Sequence, residues 1–81
     1  MTWDEAKINS DKLVNLIDEQ LQKEQPKSIA DVLKAVYTID KDCRAIPNPN
    51  QHGQCCQLIL YPPPKWNTWS QTSMSITKYN L

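Results

Sequence analysis

The stretch SIADVLKAVY, residues 28–37, decides the fold class because it carries the clearest periodicity in the chain. Ser28 and Asp31 have the spacing of a helix N-cap, in which side chains satisfy backbone N–H groups that lack a partner inside the helix. Apolar side chains then recur at i, i+3, i+4, i+7 and i+8, which predicts one apolar stripe facing a core. They are Ile29, Val32, Leu33, Val36 and Tyr37.

A longer helix is predicted before this one. Thr2 and Glu5 have the spacing of a capping box, so the helix is expected to begin directly after Thr2. Pro26 ends it near Glu24, because the residue before a proline is pushed out of the helical conformation. Ser10 could instead cap a new helix and split the segment in two. The short link between the two predicted helices favours an antiparallel hairpin.

Strand patterns replace helical ones after Asp42. Residues 43–46 predict a short edge strand that stops at Pro47. Residues 55–61, CCQLILY, predict a strand that is buried on both faces or nearly so. Residues 70–79 are rich in Ser and Thr, and Met74 and Ile76 alternate to one face, which predicts a half-solvated strand.

These elements together predict an α+β fold: an N-terminal antiparallel helical hairpin packed on a small two- or three-stranded antiparallel sheet. The length is that of a single domain, residues 1–81, with a helical half at 1–42 and a strand-rich half at 43–81. So short a chain buries a small share of its surface. We therefore expect a homo-oligomer, most simply a homodimer.

Charge is divided unequally between the two halves. Residues 1–42 contain all nine acidic residues and six lysines, a net charge of −3, whereas residues 43–81 contain three cations and no acid. The cations are Arg44, Lys65 and Lys78. Such asymmetry can indicate an anionic partner. It also follows from composition alone, because strands select against acidic residues and scattered cations make a thin patch.

The location of the protein is inferred from its apolar runs and cysteines. No apolar run approaches the roughly 20 residues that span a bilayer, and the first residues lack the basic and apolar pattern of a secretory signal. Three cysteines, two of them adjacent, argue against a disulfide framework. We expect a cytoplasmic protein with reduced thiols and no membrane contact.

Metal binding and catalysis are weakly indicated. Cys43, His52, Cys55 and Cys56 lie within fourteen residues, but they lack the paired Cys-x-x-Cys spacing of a structural zinc site. These four residues are weak candidates, and no metal or cofactor is expected. His52 and Cys55 could serve as base and thiol, but the second half offers no carboxylate to orient the histidine. With no paired acids or phosphate-binding loop, no catalytic residue is assigned and no enzyme is expected.

The segment YPPPKWNTW, residues 61–69, is the most distinctive in the chain. Three consecutive prolines favour polyproline II, a conformation ordered in advance for binding to aromatic grooves. Tryptophan is also enriched at binding hot spots. We therefore predict a non-enzymatic interaction or regulatory protein, an adaptor or an inhibitor of the kind found among phage and mobile-element accessory proteins. The predicted partner-binding residues are Tyr61, Pro63, Pro64, Lys65, Trp66 and Trp69.

An alternative function is single-stranded nucleic-acid binding by the acid-free half. Trp66 and Trp69 would stack on bases while Arg44, Lys65 and Lys78 contact phosphates. A purely structural role for the two tryptophans competes with both functions. In that case their rings would fold back over the sheet as a lid on a core that has no phenylalanine.

Overall fold

The computed structural model describes residues 2–79 and has two α-helices, three strands and two short 3-10 helices. Its elements, in chain order, are α1 (Trp3–Glu24), α2 (Ile29–Ile39), β1 (Arg44–Pro49), β2 (Cys55–Tyr61), a 3-10 helix at Pro64–Trp66, β3 (Thr72–Ser75) and a 3-10 helix at Thr77–Tyr79. The predicted α+β fold is confirmed. Neither α-helix is long and apolar enough to cross a membrane within the described residues.

Both helices begin at the predicted caps. The Thr2 Oγ1 accepts a hydrogen bond from the Glu5 backbone N–H at 3.1 Å, and the Ser28 Oγ accepts one from the Asp31 N–H at 3.3 Å. The alternative of a helix restarting at Ser10 is wrong, because α1 continues through this residue without a break. Ser10 is buried on the core side of α1. Local capping therefore fixes where each helix begins.

The sheet is an antiparallel meander in the order β1-β2-β3. The helices cover one face of it, and on that face Leu58 and Leu60 of β2 are fully buried. The prediction that β2 is buried on both faces is wrong, since Gln57 and Tyr61 point to the opposite side and are exposed. No second layer packs on that outer face in residues 2–79.

The other two strands differ from their predicted bounds. β1 continues past the predicted stop at Pro47 and ends at Pro49. Proline is compatible with an edge strand when its nitrogen faces away from the neighbouring strand. β3 is shorter than the predicted strand 70–79, because the chain turns into the 3-10 helix after Ile76. The third strand therefore exposes only a short free edge.

A single hydrophobic core joins the helices to the inner face of the sheet. The predicted stripe of α2 faces it, except that Tyr37 at the end of the stripe is exposed. Apolar burial across both halves of the chain therefore holds the fold together. The fully buried large apolar side chains are Leu13, Ile17, Leu21, Val32, Val36, Leu58, Leu60 and Ile76.

Candidate functional site

The predicted binding segment forms a loop that is attached to both helices. We call residues 62–69 the Pro–Trp loop; it forms most of the connection between β2 and β3. Near its middle, Trp66 bonds to Asp40 at the C-terminus of α2. One residue later, the Asn67 carbonyl accepts a hydrogen bond from the Asn9 side chain of α1 at 3.0 Å. The loop is therefore a fixed part of the fold.

The first attachment is centred on the buried carboxylate of Asp40. The Trp66 Nε1–H donates to Asp40 Oδ2 at 2.5 Å, and the Lys65 Nζ lies 3.2 Å from the same oxygen. The other oxygen accepts the backbone N–H of Asp42 at 2.9 Å. The Trp66 ring is half-buried against the core. We call Asp40, Lys65 and Trp66 the Asp40 anchor.

The contacts within the Asp40 anchor change the acidity of this carboxyl group. The hydrogen bond from Trp66, followed by that from the Asp42 backbone, holds the pKa of Asp40 below its ordinary value. Burial acts in the opposite direction, and Lys65 adds to the lowering. Asp40 is consequently ionised at neutral pH, and its charge is matched by donors that belong to the loop.

The three prolines do not form one polyproline II segment. Pro63 has φ −69° and ψ 157°, which is polyproline II geometry, but Pro64 begins a 3-10 helix. The N–H groups of Trp66 and Asn67 donate to the carbonyls of Pro63 and Pro64 at 3.1 and 3.0 Å. The polyproline II prediction therefore fails at Pro64. This turn makes the segment a poor ligand for the groove of another protein.

The other end of the loop carries an exposed aromatic pair. The Trp69 ring contacts the Trp3 ring of α1 edge to face, with ring centroids 6.1 Å apart and planes at 60°. Trp3 is 79% exposed and Trp69 is 37% exposed. A cleft of about 210 Å³, which we call the Trp3–Trp69 cleft, lies beside them. It is lined by Thr2, Trp3, Ala6, Thr68, Trp69 and Ser70.

Trp3 is absent from the predicted site, because its spacing gives no signal of exposure. It lies three residues before Ala6 and eighteen before Leu21, both buried, so helical spacing places it on the core side of α1. This side of the helix reaches the surface at its first turn, where Trp3 is 79% exposed. Neither that exposure nor the contact with Trp69 could have been inferred from spacing along the chain.

The predicted partner-binding residues are divided among different surroundings. Trp66 points inward and Lys65 pairs with Asp40, so these two serve the attachment of the loop. Tyr61 lies on the outer face of the sheet. Trp69 and Pro64 are exposed. The lid interpretation thus fits Trp66, whereas Trp69 is available at the surface.

The cations predicted to contact phosphate are not gathered on one surface. Lys65 lies near two carboxylates, 3.2 Å from Asp40 and 3.8 Å from Asp42. Lys78 lies 2.8 Å from a third carboxylate, that of Asp18 on α1. Arg44 begins β1, where it is exposed and opposite Tyr61. The opposite charges of the two halves are therefore partly matched inside the molecule.

A second attachment joins the chain after β3 to the middle of α1. The Asp18 carboxylate accepts hydrogen bonds from the Tyr79 hydroxyl and from Lys78. The bond from Lys78, followed by that from Tyr79, lowers the pKa of Asp18. Burial, with the nearby Asp18 charge, raises the pKa of Tyr79. Residues 69–79 thus run alongside α1, from Trp3 at one end to Asp18 at the other.

The four weak zinc candidates are not brought together. Cys43 precedes β1, whereas His52 lies in the turn at the other end of that strand. A strand of this length separates them by about 20 Å. Cys55 and Cys56 are successive strand residues, so their side chains point to opposite faces. Among residues 2–79 no group of three or more His, Cys, Asp or Glu side chains could hold a metal.

Two of the thiols, those of Cys43 and Cys55, are held in the protonated form. Burial, with a smaller contribution from the charge of Asp40, raises the pKa of Cys43 to about 11. Burial likewise raises the pKa of Cys55. A nucleophilic cysteine needs the thiolate and therefore a lowered pKa. These surroundings suit cysteines that pack as small apolar side chains.

Known proteins offer no guide to the use of these features. Neither protein-family models, nor curated proteins, nor solved structures gave a match to this chain. Its function must be inferred from its own residues.

Proposed function

We propose that this chain is a non-enzymatic protein-binding domain whose recognition site is the Trp3–Trp69 cleft. The observation that carries the proposal is a pair of tryptophan rings in edge contact that stay exposed, Trp3 at 79% and Trp69 at 37%. Tryptophan is strongly enriched among residues that dominate binding energies, and binding pockets are commonly lined by aromatic rings.

The surroundings of the cleft support this role because they hold it in shape. The Asn9 side chain, six residues after Trp3 on α1, donates to the carbonyl of Asn67, two residues before Trp69. On the far side of Asn67, the Asp40 anchor fixes Trp66. A site that is already ordered loses little conformational entropy when a ligand binds. The cleft is therefore suited to binding without rearrangement of the backbone.

The chemistry of the cleft favours an extended, proline-containing segment of a partner protein. Its aromatic walls and its volume of about 210 Å³ suit one compact apolar ring. Polyproline II segments bind in this way, with pyrrolidine rings against aromatic side chains. Asp4 and Glu5 follow Trp3 in the first turn of α1, so a basic residue beside the proline would be attracted. The domain is thus proposed as receptor for such a segment.

An adaptor or inhibitor role follows from this mode of binding. A domain that binds an extended segment of a partner protein hides that segment from other proteins, or holds the partner in place. Neither effect requires a chemical step. The protonated state of Cys43 and Cys55 supports a non-enzymatic function. The free state of all three cysteines supports a cytoplasmic setting.

Selection from a displayed library of random dodecapeptides tests the proposal. The wild-type chain is compared with a Trp3→Ala/Trp69→Ala variant and with Ile46→Ala, which removes a side chain of similar exposure from the outer face of the sheet. We expect wild type and Ile46→Ala to enrich the same peptides, containing proline next to lysine or arginine. Synthetic copies should bind the double variant at least about tenfold more weakly, a loss of about 1.4 kcal/mol.

Two outcomes would contradict the proposal. One is that no peptide is enriched by wild type over the double variant; the other is that enriched peptides bind both chains equally.

Single-stranded oligothymidylate serves as the probe for the alternative function, single-stranded nucleic-acid binding. That alternative is less well supported, because Lys65 and Lys78 both face carboxylates. Quenching of tryptophan fluorescence by the oligonucleotide, weakening as salt rises, would favour it.

A further inference from the structure

The two edges of the sheet differ in their capacity to accept another strand. The β1 edge carries Pro47 and Pro49, which have no N–H to donate and block strand addition. The β3 edge, Thr72–Ser75, carries no proline and no charge. Natural edge strands are commonly protected by prolines, charges, bulges or covering segments. Proline and charge are both absent from β3.

The direction of the backbone groups shows which of them face outward. The Ile76 N–H donates to the Cys56 carbonyl of β2 at 3.1 Å. In an antiparallel pair, every second residue directs its backbone N–H and C=O toward the neighbouring strand. The backbone N–H and C=O of Met74, two residues before Ile76, therefore also face β2. The N–H and C=O groups of Ser73 and Ser75 therefore face away from the sheet. Within residues 2–79 these groups have no hydrogen-bond partner.

A groove runs beside this edge. It lies between α1 and β3 and has a volume of about 310 Å³. The apolar side chains along it are Val14, which is half-buried, and Met74, which is 7% exposed. Asp18 and Lys78 lie at its C-terminal end. An added strand would thus gain apolar contact in addition to backbone hydrogen bonds.

We propose that the β3 edge binds the β3 edge of a second copy of this chain, antiparallel, with the twofold axis at Met74. Residues 72–76 keep regular pairing with β2, and Met74 is their centre. In this register Ser73 of each copy lies opposite Ser75 of the other, and each such pair exchanges two N–H···O bonds. The two three-stranded sheets become one continuous sheet.

The distribution of charge favours a second copy as the occupant. Trp3 lies beside Trp69 and Asp18 beside Lys78, so α1 and residues 69–79 run in the same direction. A twofold axis at Met74 reverses this direction and brings the Lys78 of each copy toward the N-terminal half of the other copy's α1. Lys78 is paired with Asp18 of its own chain at 2.8 Å, but its side chain is 55% exposed, so it can also face acidic residues of the second copy. Acidic residues lie there at seven-residue spacing from Asp18, and so on the same side of the helix. They are Asp4 and Asp11, with Lys7 between them.

The composition of β3 does not oppose pairing between two copies. Thr72–Ser75 is uncharged, so two copies meet there without repulsion between like charges. A chain of this size also gains stability when a subunit interface enlarges its buried area. The proposal does not depend on the Trp3–Trp69 cleft or on any ligand that binds there.

Sedimentation velocity over a concentration series tests the proposal with a matched pair of variants. Ser73→Pro and Ser73→Ala both remove the hydroxyl, but only proline removes the outward N–H. We expect wild type and Ser73→Ala to reach twice the 9.4 kDa mass of the chain. We expect Ser73→Pro to dimerise at least about tenfold more weakly, with the circular dichroism spectrum of the wild type.

The result that overturns the proposal is a wild-type chain that stays monomeric up to about 1 mM, or a Ser73→Pro variant that dimerises as Ser73→Ala does. In the monomeric case the edge would be left for an extended segment of another protein. In the second case the dimer would form through a different surface.

A cross-linking experiment tests the register even if the proline variant does not fold. Two Met74 residues facing each other at the twofold axis form a pair without backbone bonds between them, with Cα atoms about 4.5 Å apart, within disulfide range. Mild oxidation of Met74→Cys should give a covalent dimer that joins residue 74 to itself, as mass spectrometry can show. Wild type, with its native thiols, gives the background. Cross-links only through Cys43, Cys55 or Cys56 would contradict the register.

Discussion

Trp66 and Trp69 lie three residues apart in one loop, yet their surroundings are opposite. The Trp66 indole N–H reaches the buried carboxylate of Asp40, and its ring packs against the core. The Trp69 ring makes an edge-to-face contact with another exposed ring, that of Trp3. The difference teaches that what a tryptophan does here depends on which distant residue meets it. Attachment and recognition should therefore respond separately to mutation.

The largest effect on stability is expected at Trp66. Trp66→Ala removes packing against the core and leaves the Asp40 carboxylate without its main donor. The free energy of unfolding should fall by about 3 kcal/mol, measured by urea denaturation. Trp66→Phe, which restores most of the ring but no donor, should recover part of the loss. A Trp66→Ala chain within about 0.5 kcal/mol of wild type would show that the loop does not depend on the Asp40 anchor.

The second-largest effect expected is a dependence of stability on pH that arises from the ionisation of Asp40. Because the folded pKa of Asp40 lies below the unfolded value of about 4, its contribution is present above that value and is lost as pH falls through the folded pKa. Asp40→Asn should lower the Tm at neutral pH, and the difference from wild type should disappear in acid. Thermal melts by circular dichroism between pH 7 and pH 2 measure this.

Asp42→Asn is the matched control for that titration. Its carboxylate is exposed and lies 3.8 Å from the same lysine, so its contribution is screened by solvent. It should follow the wild-type curve. Asp18, whose pKa is also lowered, contributes acid sensitivity of the same sign to every chain in the series. A wild-type chain and an Asp40→Asn chain with parallel curves would contradict the role given to Asp40.

A smaller effect is expected at Asn67, between the two tryptophans. Its backbone is left-handed, with φ 51° and ψ 46°. Alanine adopts this conformation at a cost of about 1 kcal/mol, whereas glycine adopts it freely. Asn67→Ala should therefore be about 1 kcal/mol less stable than Asn67→Gly in urea denaturation. Both variants keep the carbonyl that Asn9 binds. Equal stabilities would show that the turn adopts another conformation.

The smallest effect on stability is expected at Trp69. Removing its ring loses an exposed aromatic contact worth about 0.5 kcal/mol. A Trp3→Ala/Trp69→Ala chain should keep its fold and retain Trp66 as its single tryptophan. Acrylamide should then quench the remaining fluorescence less than in wild type, because the Trp66 ring is half-buried. Unchanged quenching would contradict the contrast between the two tryptophans.

Much of the fold was predictable because its signals are local. Thr2 and Ser28 cap helices through contacts three residues away, and the strand 55–61 has the bounds predicted from its composition. The contacts that define the site are not local. Trp66 meets Asp40 across 26 residues, and Tyr79 meets Asp18 across 61. Spacing along the chain carries no information about such pairs.

The differences between prediction and structure have equally specific causes. Proline predicts the end of a strand, but Pro47 lies at the sheet edge, where its missing N–H faces solvent and removes no ladder bond. Lys65 is predicted to contact a partner, because the sequence does not show that Asp40, 25 positions earlier, lies beside it. Trp3 is predicted only as the start of a helix, because Trp69, its aromatic neighbour, lies 66 positions later in the chain.

The prolines of β1 have a consequence for how far assembly can proceed. A sheet with two receptive edges could add chains at both ends and grow without limit, as fibrils do. Pro47 and Pro49 close one of the two edges here, so addition at β3 uses up the only receptive edge of each described sheet. In the proposed dimer, growth would then terminate at a closed pair. Two residues that contribute little to the core would thereby protect the protein against polymerisation.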